Sequence, residues 1–360
     1  MNKEELQKYI GTEELTVIEA MQKIDANTAG LLYIVDEKRK LSGCLTDGDI
    51  RRWIIRTGDL RGRALQMMNR NPRYLLTTEL HKEKKGLEEK GIYSMPIINA
   101  DREIVDIVFR EERVAACGIT TDSAALEGVP VIIMAGGKGT RLYPYTKILP
   151  KPLIPIGEIP ILERIFNRFY KFGVKEFFLT VNYKKEIIKS YFFELRPPYK
   201  IHYVDEEIPL GTAGSIRLID RNFESPVIIT NCDTLVEADF GKILEYHAAS
   251  GNSITVISAL KNIVVPYGVL HAQKNGIVAS MEEKPQLSYM INTGMYIVDP
   301  IYLKLIPEGK VFHMTDLIAC LLEQEKRVGM YPISENSFLD MGEFEEMKKM
   351  EERINSGDMN

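Results

Sequence analysis

Short apolar runs alternate with stretches of helical periodicity through the last two thirds of the chain. The runs that are predicted to form strands are PVIIMAG (130–136), EFFLTVN (176–182), KIHYVD (200–205), PVIITNCD (226–233) and SITVISAL (253–260). The stretches with a helical spacing of apolar positions are ILERIFNRFYKFG (161–173), EIIKSYFF (186–193), TAGSIRLI (212–219) and FGKILEYHAAS (240–250). Strands that alternate with helices are typical of an α/β sheet, and this class is predicted here.

The first 120 residues contain a repeat with a shift of 63 residues. YIVDEKRKLSGCLTDGDI (33–50) and PIINADREIVDIVFREER (96–113) share an apolar strand, a charged turn, a second apolar strand and a charged helix start. The corresponding residues are Val35 and Ile98, Asp36 and Asn99, Leu41 and Ile104, and Leu45 and Val108. With upstream helical stretches around 17–24 and 82–90, each copy is predicted to run helix, strand, turn, strand, helix. The copies are expected to pair, because one copy alone leaves an apolar face unburied.

This repeat resembles a tandem pair of CBS domains, a module that often binds adenine nucleotides between its two halves. The first copy carries the family's ligand pattern in GCLTDGDIRR, with Gly43, Thr46 and Asp49. The resemblance implies a regulatory adenine or guanine nucleotide held by Thr46 and Asp49. The second copy departs from the pattern, since the corresponding residues are Asp106, Phe109 and Glu112. Two alternatives stay open: the module is structural or dimerising and binds nothing, and Asp49 only caps a helix.

The chain is predicted to hold two domains joined by a short linker. Its 360 residues with 45% hydrophobic content are enough for more than one core. The segment CGITTDSAALEGVP (117–130) is small, polar and turn-forming, as linkers are. We therefore predict a tandem CBS pair at 1–120, with copies at about 1–60 and 61–120. After it we predict a linker at 121–128 and a second domain at 129–360.

Charge and composition narrow the range of partners. The net charge of −5 argues against a general nucleic-acid or membrane-surface binder. The four cysteines are scattered without the paired spacing of a zinc knuckle, and structural disulfides are not expected. The start, MNKEELQKYI, is a charged helical opening and not a signal peptide. No apolar run approaches the roughly 20 residues of a membrane span. The protein is predicted to be cytoplasmic.

A glycine-rich turn follows the first strand of the second domain, within VIIMAGGKGTRLYPYTKILPKPLIP (131–155). Its spacing differs from that of a Walker loop and of a dinucleotide-binding loop. Gly136, Gly137 and Gly139 still allow backbone amides to approach an anion. Arg141 follows at once, and Lys151 stands between two prolines. The turn is predicted to bind phosphate, and a dinucleotide-dependent oxidoreductase does not fit the glycine spacing or the added cations.

GGKGTRLYPYTKILPKPL is similar to the signature of sugar-1-phosphate nucleotidyltransferases. Further motifs of that family follow in its order: LGTAGS (210–215), NCD (231–233), EEKP (282–285), NTGMYIV (292–298) and FLDMGEFEEM (338–347). The resemblance covers roughly residues 130–350. It implies a Rossmann-like mixed sheet, here preceded by the α+β tandem CBS (Bateman) module.

In this family the oxygen of a sugar 1-phosphate attacks the α-phosphorus of a nucleoside triphosphate, and pyrophosphate leaves. The nucleophile is already an anion, so catalysis depends on positioning and on neutralising phosphate charge. The resemblance implies catalytic roles for Arg141, Lys151 and Asp233. It also implies Mg²⁺ held by Asp233 and Asp340, in keeping with the preference of that ion for carboxylate oxygens.

The resemblance implies two further sets of contacts. The nucleotide-binding set is Ala135, Gly136, Gly137, Gly139, Thr140, Arg141, Asn182, Gly211 and Thr212. The sugar-phosphate set is Lys284, Glu282, Asn292, Thr293 and Gly294. Asn182 could equally be a turn residue at a strand end, and Cys232 is predicted to fill a buried small-residue position. His313 stands near Thr315, whose segment lies near the sugar site in the family, but a role for His313 at the start of a helix is the favoured prediction.

The motifs LGTAG and VNY are similar to those of guanylyl-transferring members. Some of these act on glucosamine 1-phosphate in pathways for surface sugars such as legionaminic acid. We therefore expect GTP as donor and a glucosamine- or mannose-type 1-phosphate as acceptor. Thymidylyl or cytidylyl transfer to glucose 1-phosphate is the alternative, and a non-catalytic nucleotide sensor is a rival of another class. A homodimer is expected, because CBS pairs commonly associate face to face.

Overall fold

The computed structural model describes residues 1–27, 29–78, 93–109, 124–342 and 344–355. By their contacts the residues divide into two compact units, Met1–Thr120 with Ile263–Ser288, and Thr121–Asn262 with Tyr289–Asn360. The predicted helix at 82–90 and the position of Glu112 lie outside the described residues, as does the first part of the predicted linker. The domain bounds proposed from the sequence stay predictions.

The described helices and strands follow the chain in this order. The helices are α1 (Lys3–Gln7), α2 (Val17–Asn27), α3 (Asp47–Thr57), α4 (Ala64–Met67), α5 (Tyr145–Ile148), α6 (Ile161–Lys171), α7 (Lys185–Leu195), α8 (Gly211–Gly214), α9 (Phe240–Ser250), α10 (Met314–Glu323) and α11 (Phe344–Asn355). The strands are β1 (Ile10–Thr12), β2 (Leu31–Val35), β3 (Leu41–Thr46), β4 (Leu75–Leu76), β5 (Ser94–Ile98), β6 (Ile104–Phe109), β7 (Val131–Ala135), β8 (Pro155–Ile156), β9 (Ile159–Pro160), β10 (Glu176–Val181), β11 (Lys200–Asp205), β12 (Val227–Asn231), β13 (Thr234–Val236), β14 (Ile254–Val264), β15 (Gly268–Ala272), β16 (Val278–Glu283), β17 (Gln286–Val298), β18 (Val328–Ile333) and β19 (Phe338–Asp340).

The repeat of the first unit is confirmed in its strand pairing. The sheets β1-β2-β3 and β4-β5-β6 both join a parallel pair to an antiparallel pair. Leu31 pairs with Thr46 in the first sheet, and Ser94 pairs with Phe109 in the second. Both hairpins carry the same irregularity, between Ile34 and Val35 and between Ile97 and Ile98. The shift of 63 residues seen in the sequence therefore maps one hairpin onto the other.

The two copies share one core. Its buried residues come from both hairpins and from the N-terminal helix: Leu6, Leu31, Tyr33, Leu41, Ile98 and Ile107. The hydroxyl groups of Tyr33 and Ser94 are hydrogen-bonded at 2.8 Å. The backbone N–H of Leu41 donates to the carbonyl of Arg102 at 2.8 Å. The expected pairing of the copies is confirmed, because neither hairpin alone contains this core.

The second unit is built on a mixed sheet of seven strands in the order β11-β10-β7-β12-β17-β14-β18. Strand β7 is parallel to both β10 and β12, whereas β17 is antiparallel to β12. The strands near the centre are apolar on both faces, since all five residues of β7 are buried. Helix α10 contributes to the core on one face through Met314, Leu317 and Leu321. The predicted α/β class with a mixed sheet is confirmed.

The segment 212–219 differs from the single helix predicted for it. Helix α8 has four residues, and a 3₁₀ turn over Ser215–Leu218 follows it. The backbone N–H groups of Ala213 and Gly214 both donate to the carbonyl of Phe312, a partner distant in sequence. Glycine at both ends of α8 also disfavours a longer helix.

Among the described residues, no helix has the length and apolar character needed to cross a membrane.

Candidate active site

The central strands bring two of the sequence motifs to the same edge of the sheet. Strand β7 ends at Ala135 and leads into the glycine-rich turn, while β12 ends at Asn231 shortly before Asp233. The two strands are parallel, with Asn231 opposite Met134. Their carboxyl ends therefore lie side by side. Open α/β sheets bind ligands at this edge.

A cavity of about 360 Å³ lies within the second unit. Seven predicted site residues line it: Arg141, Thr212, Asp233, Asn292, Thr293, Gly294 and Asp340. The other lining residues are Met134, Asn231, Thr234, Tyr296, His313, Met314, Thr315, Phe338 and Gly342. Residues from six separate motifs and segments thus converge on one space.

Asp233 and Asp340 are brought together by a short antiparallel ladder. Strand β13 begins directly after Asp233, and Thr234 pairs with Asp340 on β19. The backbone N–H of Met341 donates to the carbonyl of Asp233 at 2.9 Å. Burial, and then the Asp233 carboxylate, raise the pKa of Asp340, while the Lys151 and Arg141 cations act in the opposite direction. Two carboxylates that repel each other in this way favour a bound cation.

The side-chain hydroxyl of Thr234 is a further oxygen atom beside the carboxylates of Asp233 and Asp340 in this ladder. Its side chain is 4% exposed, and its hydroxyl has no hydrogen-bond partner among the described residues. Directly opposed residues of an antiparallel ladder place their side chains on the same face, so Thr234 and Asp340 face the same way. A buried hydroxyl without a partner is costly unless a ligand or water satisfies it.

Lys151 neutralises part of this acidic site. It begins a 3₁₀ turn between Pro150 and Pro152, and its ammonium group forms an ion pair with the carboxylate of Asp233. The side chains of Lys151 and Asp233 are 15% and 18% exposed. A Cβ on Gly139 would come within 2.9 Å of the Lys151 Cβ, so glycine is needed where the turn passes this lysine.

A buried acid, Glu206, lies beneath the glycine-rich turn. A Cβ on Gly136 would stand 2.5 Å from the Glu206 Oε1 atom, and Glu206 is only 5% exposed. Burial raises the pKa of Glu206, and the backbone N–H of Leu210 donates to its Oε2 atom at 3.2 Å. The turn can follow its course only because residue 136 has no side chain. Sequence reasoning missed Glu206, since no motif marks it.

A Gly136→Ala substitution is expected to destabilise the turn. The added methyl group would meet the carboxylate of a buried acid, and overpacking of this kind costs about 1–3 kcal/mol. Denaturant unfolding would measure the free energy, and steady-state kinetics would show a raised KM for the nucleotide. Gly137→Ala is the matched control for the free energy of unfolding alone, because a Cβ there meets no atom within 4 Å. Equal stability of the two variants would contradict this role of Glu206.

The NTG motif lies within β17 on the cavity wall. Gly294 has a φ of +80°, and a Cβ there would collide with the Asn231 side-chain amide. The Oδ1 atom of Asn292 accepts from the Gly294 N–H at 2.9 Å, and its Nδ2 donates to the Tyr296 hydroxyl at 2.8 Å. The Thr293 hydroxyl donates to the carbonyl of Ile257 at 2.8 Å. These bonds hold this part of β17 in place, and the predicted sugar contacts of its residues stay predictions.

The other predicted nucleotide contacts lie at or near strand ends. Asn182 follows β10, and its side-chain amide donates to the carbonyl of Glu206 at 2.8 Å. Gly211, with φ of +80°, has no room for a Cβ, which would stand 2.6 Å from the carbonyl oxygen of Phe312. Thr140 starts a 3₁₀ turn that also contains Arg141. The nucleotide contacts of these residues stay predictions.

Cys232 is buried as predicted, and burial raises the pKa of its thiol.

Glu282 and Lys284 lie on the hairpin of β15 and β16 and directly after it. Both side chains are exposed, and Lys284 has a left-handed backbone with φ of +50°. The hairpin belongs to the first compact unit, whereas the cavity lies in the second. The sugar-phosphate roles of these two residues stay predictions.

Thr46 and Asp49, the predicted regulatory residues, bond to each other. Thr46 caps α3, and the Asp49 Oδ2 atom accepts from both the backbone N–H and the hydroxyl of Thr46, at 2.9 and 2.6 Å. The other Asp49 oxygen forms an ion pair with Arg52. A Cβ on Gly43 would stand 2.6 Å from the Met68 sulfur, so Gly43 allows a close internal contact. Asp49 thus takes part in the cap of α3, and both its nucleotide role and the alternative that it serves only the cap stay predictions.

Comparison with protein families matches the second part of the chain and the first repeat copy. The nucleotidyl transferase family matches residues 130–357, and the CBS domain family matches residues 12–56. The chain therefore belongs to the nucleotidyl transferase family, with a CBS domain near its N-terminus. The resemblance proposed from the glycine-rich turn and the later motifs is confirmed, as is that of the first repeat copy.

Two curated relatives and one solved structure illustrate the similarity. The chain is 37% identical over 170 residues to D-glycero-alpha-D-manno-heptose 1-phosphate guanylyltransferase of Campylobacter jejuni, covering 46% of this chain and 74% of the relative. It is 32% identical over 184 residues to mannose-1-phosphate guanyltransferase of Debaryomyces hansenii, and the match covers 49% of this chain and 51% of the relative. The chain thus spans about half the length of that second relative. The crystal structure of HddC from Yersinia pseudotuberculosis is 27% identical, with a TM-score of 0.50, over 63% of this chain and 99% of HddC.

Proposed function

We propose that this protein transfers a nucleoside monophosphate from a nucleoside triphosphate to a sugar 1-phosphate, forming a nucleotide sugar and releasing pyrophosphate. One observation carries the proposal. Arg141, Asp233 and Asp340 line the same cavity, and Lys151 is paired with Asp233. A phosphate-transfer site needs this mixture, in which cations neutralise phosphate oxygens and carboxylates hold a divalent ion.

The charged and uncharged residues of the site would have different roles in the reaction. Arg141 and Lys151 would neutralise the phosphate charge that builds as the α-phosphorus is attacked, and would hold the reacting groups in line. The backbone of the glycine-rich turn would approach the nucleotide, since Gly136 and Gly137 present no side chain. No side chain has to act as general base, because the attacking phosphate oxygen is already an anion. A non-catalytic sensor would have no need for the paired Lys151 and Asp233.

Mg²⁺ fits the residues of the β13–β19 ladder. Asp233 and Asp340 would hold it, and the buried Thr234 hydroxyl stands on the same face as Asp340. Mg²⁺ prefers oxygen ligands and is commonly held by one or two carboxylates together with substrate phosphates. When bound, it would supply charge stabilisation for the departing pyrophosphate. Lys151 would then give up part of its contact with Asp233.

GTP is the proposed donor, and a mannose-, heptose- or glucosamine-type 1-phosphate is the proposed acceptor. The names of the two curated relatives, both guanylyl-transferring, support the base and the first two sugars. Glucosamine rests on the sequence resemblance alone. Thymidylyl or cytidylyl transfer to glucose 1-phosphate is the alternative.

A coupled assay of pyrophosphate release tests the proposal. The full chain is supplied with Mg²⁺, one of GTP, dTTP, CTP or UTP, and each sugar 1-phosphate in turn. We expect release with GTP and at least one of the three proposed sugars, and none without a sugar phosphate. Preference for dTTP or CTP with glucose 1-phosphate would support the alternative. No release with any pair would reject the proposed activity.

The first unit is proposed to bind a regulatory adenine or guanine nucleotide through Thr46 and Asp49. Both Asp49 oxygens are engaged within the protein, so a ribose hydroxyl would have to replace Arg52, whose side chain is 72% exposed. Calorimetric titration of the full chain with AMP tests this, because AMP cannot donate a nucleotidyl group. We expect saturable heat that Asp49→Asn abolishes. No heat at millimolar AMP would reject an AMP site.

The homodimer and the cytoplasmic location that the sequence suggests stay predictions.

A further inference from the structure

The backbone of His313 lies at the start of α10, while its ring lies on the wall of the cavity. His313 stands directly before α10, where its backbone N–H donates to the Asp316 carboxylate at 2.8 Å. The predicted helix-start role is therefore confirmed. Its ring is exposed and lines the cavity that holds Arg141, Asp233 and Asp340. The capping bond to Asp316 comes from the backbone of His313, and its ring contacts other residues.

The ring has a defined orientation. Its Nδ1 atom accepts from the backbone N–H of Thr212 at 3.3 Å. The Thr212 hydroxyl, 3.5 Å from the same nitrogen, accepts from the Met314 N–H at 3.0 Å. The ring also packs against Gly211, where a Cβ would stand 3.0 Å from the His313 Cε1 atom. Gly211 and Thr212 thus hold the imidazole against the cavity wall.

The Thr212 contact fixes the tautomer. A peptide N–H can only donate, so Nδ1 must carry a lone pair and no proton. In the neutral ring, the proton then resides on Nε2. Among the described residues, no hydrogen bond to Nε2 is found. The protein therefore presents one neutral N–H donor from a ring on the cavity wall.

We propose that the His313 Nε2–H donates a hydrogen bond to a hydroxyl oxygen of the sugar and so contributes to acceptor specificity. The proposal rests on the proposed function, since it assigns a contact to the acceptor of that reaction. In the proposed function, Arg141, Lys151 and the ion would take the phosphates of both substrates, which leaves the sugar hydroxyls to other groups. A neutral donor suits a neutral hydroxyl, and a site built to bond a hydroxyl discriminates strongly against analogues that lack it.

Two substitutions separate the two ring nitrogens. In His313→Asn the side-chain amide reaches the place of Nδ1, so it can keep the Thr212 contact but not the outer donor. In His313→Gln the amide nitrogen reaches the place of Nε2 and can restore that donor. We expect His313→Asn to raise the KM for the sugar 1-phosphate about tenfold, the value of one hydrogen bond. The KM for the triphosphate and the Tm should stay unchanged, and His313→Gln should recover most of the loss.

Sugar 1-phosphates that lack one hydroxyl at a time provide the decisive measurement. The wild-type chain should bind one of them about tenfold more weakly than the parent sugar, and His313→Asn should show no further loss with that analogue. Equal additional losses in both chains, or a raised KM for the triphosphate in both variants, would overturn the proposal. Turnover by the wild-type chain with no effect of His313→Asn would reject this contact alone. No turnover by the wild-type chain would reject the proposed function itself.

Discussion

An Asp233→Asn variant is expected to lose turnover by on the order of a thousandfold, because metal-assisted charge stabilisation contributes several kcal/mol. The amide has nearly the shape of the carboxylate, so the ladder of β13 and β19 should persist. It has no charge, however, and can neither hold a divalent ion firmly nor pair with Lys151. Pyrophosphate release at saturating Mg²⁺ measures the effect.

Asp220→Asn is the matched control for this variant. Asp220 is an exposed residue of the same unit and does not line the cavity. The same chemical change there should leave turnover and Tm as in the wild type. If Asp233→Asn kept more than a tenth of the wild-type rate, the assignment of Asp233 as a metal ligand would be wrong.

A Lys151→Met variant is expected to lose turnover by about a hundredfold or more, the usual cost of removing one charge-stabilising donor. Methionine keeps the unbranched stem that passes Gly139, and removes only the cation. Without that cation, Asp233 and Asp340 repel each other with less compensation. Mg²⁺ should therefore raise the Tm of this variant by more than it raises the Tm of the wild type, because a ligand that binds the folded state stabilises it.

Lys304→Met provides the comparison for Lys151→Met. Lys304 is exposed in the second unit and does not line the cavity. It should show wild-type turnover and the wild-type response of Tm to Mg²⁺. An unchanged rate in Lys151→Met would remove this lysine from the catalytic group, and an unchanged response to Mg²⁺ would show that it does not compete with the ion for Asp233.

Much of the fold was predictable from local patterns. The apolar runs of β7, β10 and β12 gave strands near the predicted places, because a buried strand must be apolar along its whole length. The predicted strand β11 also formed, but as a partly exposed strand at the edge of the sheet. The repeat predicted equivalent hairpins in the first unit. The segment 212–219 failed as a single helix, because Ala213 and Gly214 bond to Phe312 rather than continuing a helical ladder.

The candidate site was predictable only where chemistry and motif coincide. Arg141, Asp233 and Asp340 stood in recognisable motifs, and the structure brings them to one cavity. Glu206 and Thr234 carried no signal, because their importance lies in burial and in the groups that they face. Thr46 and Asp49 matched a ligand pattern, yet the same two residue types also form a helix cap. The sequence could not separate those alternatives.

The sequence by itself determined the glycine-rich turn, its cations and the order of the motifs, since each depends on residues that are contiguous in the chain. Tertiary structure alone decided the long-range partners. Lys151 meets Asp233 across 82 residues, and Thr212 meets His313 across 101. Such contacts arise when strands and turns pack together. Their geometry therefore depends on the whole sheet and not on any local pattern of residues.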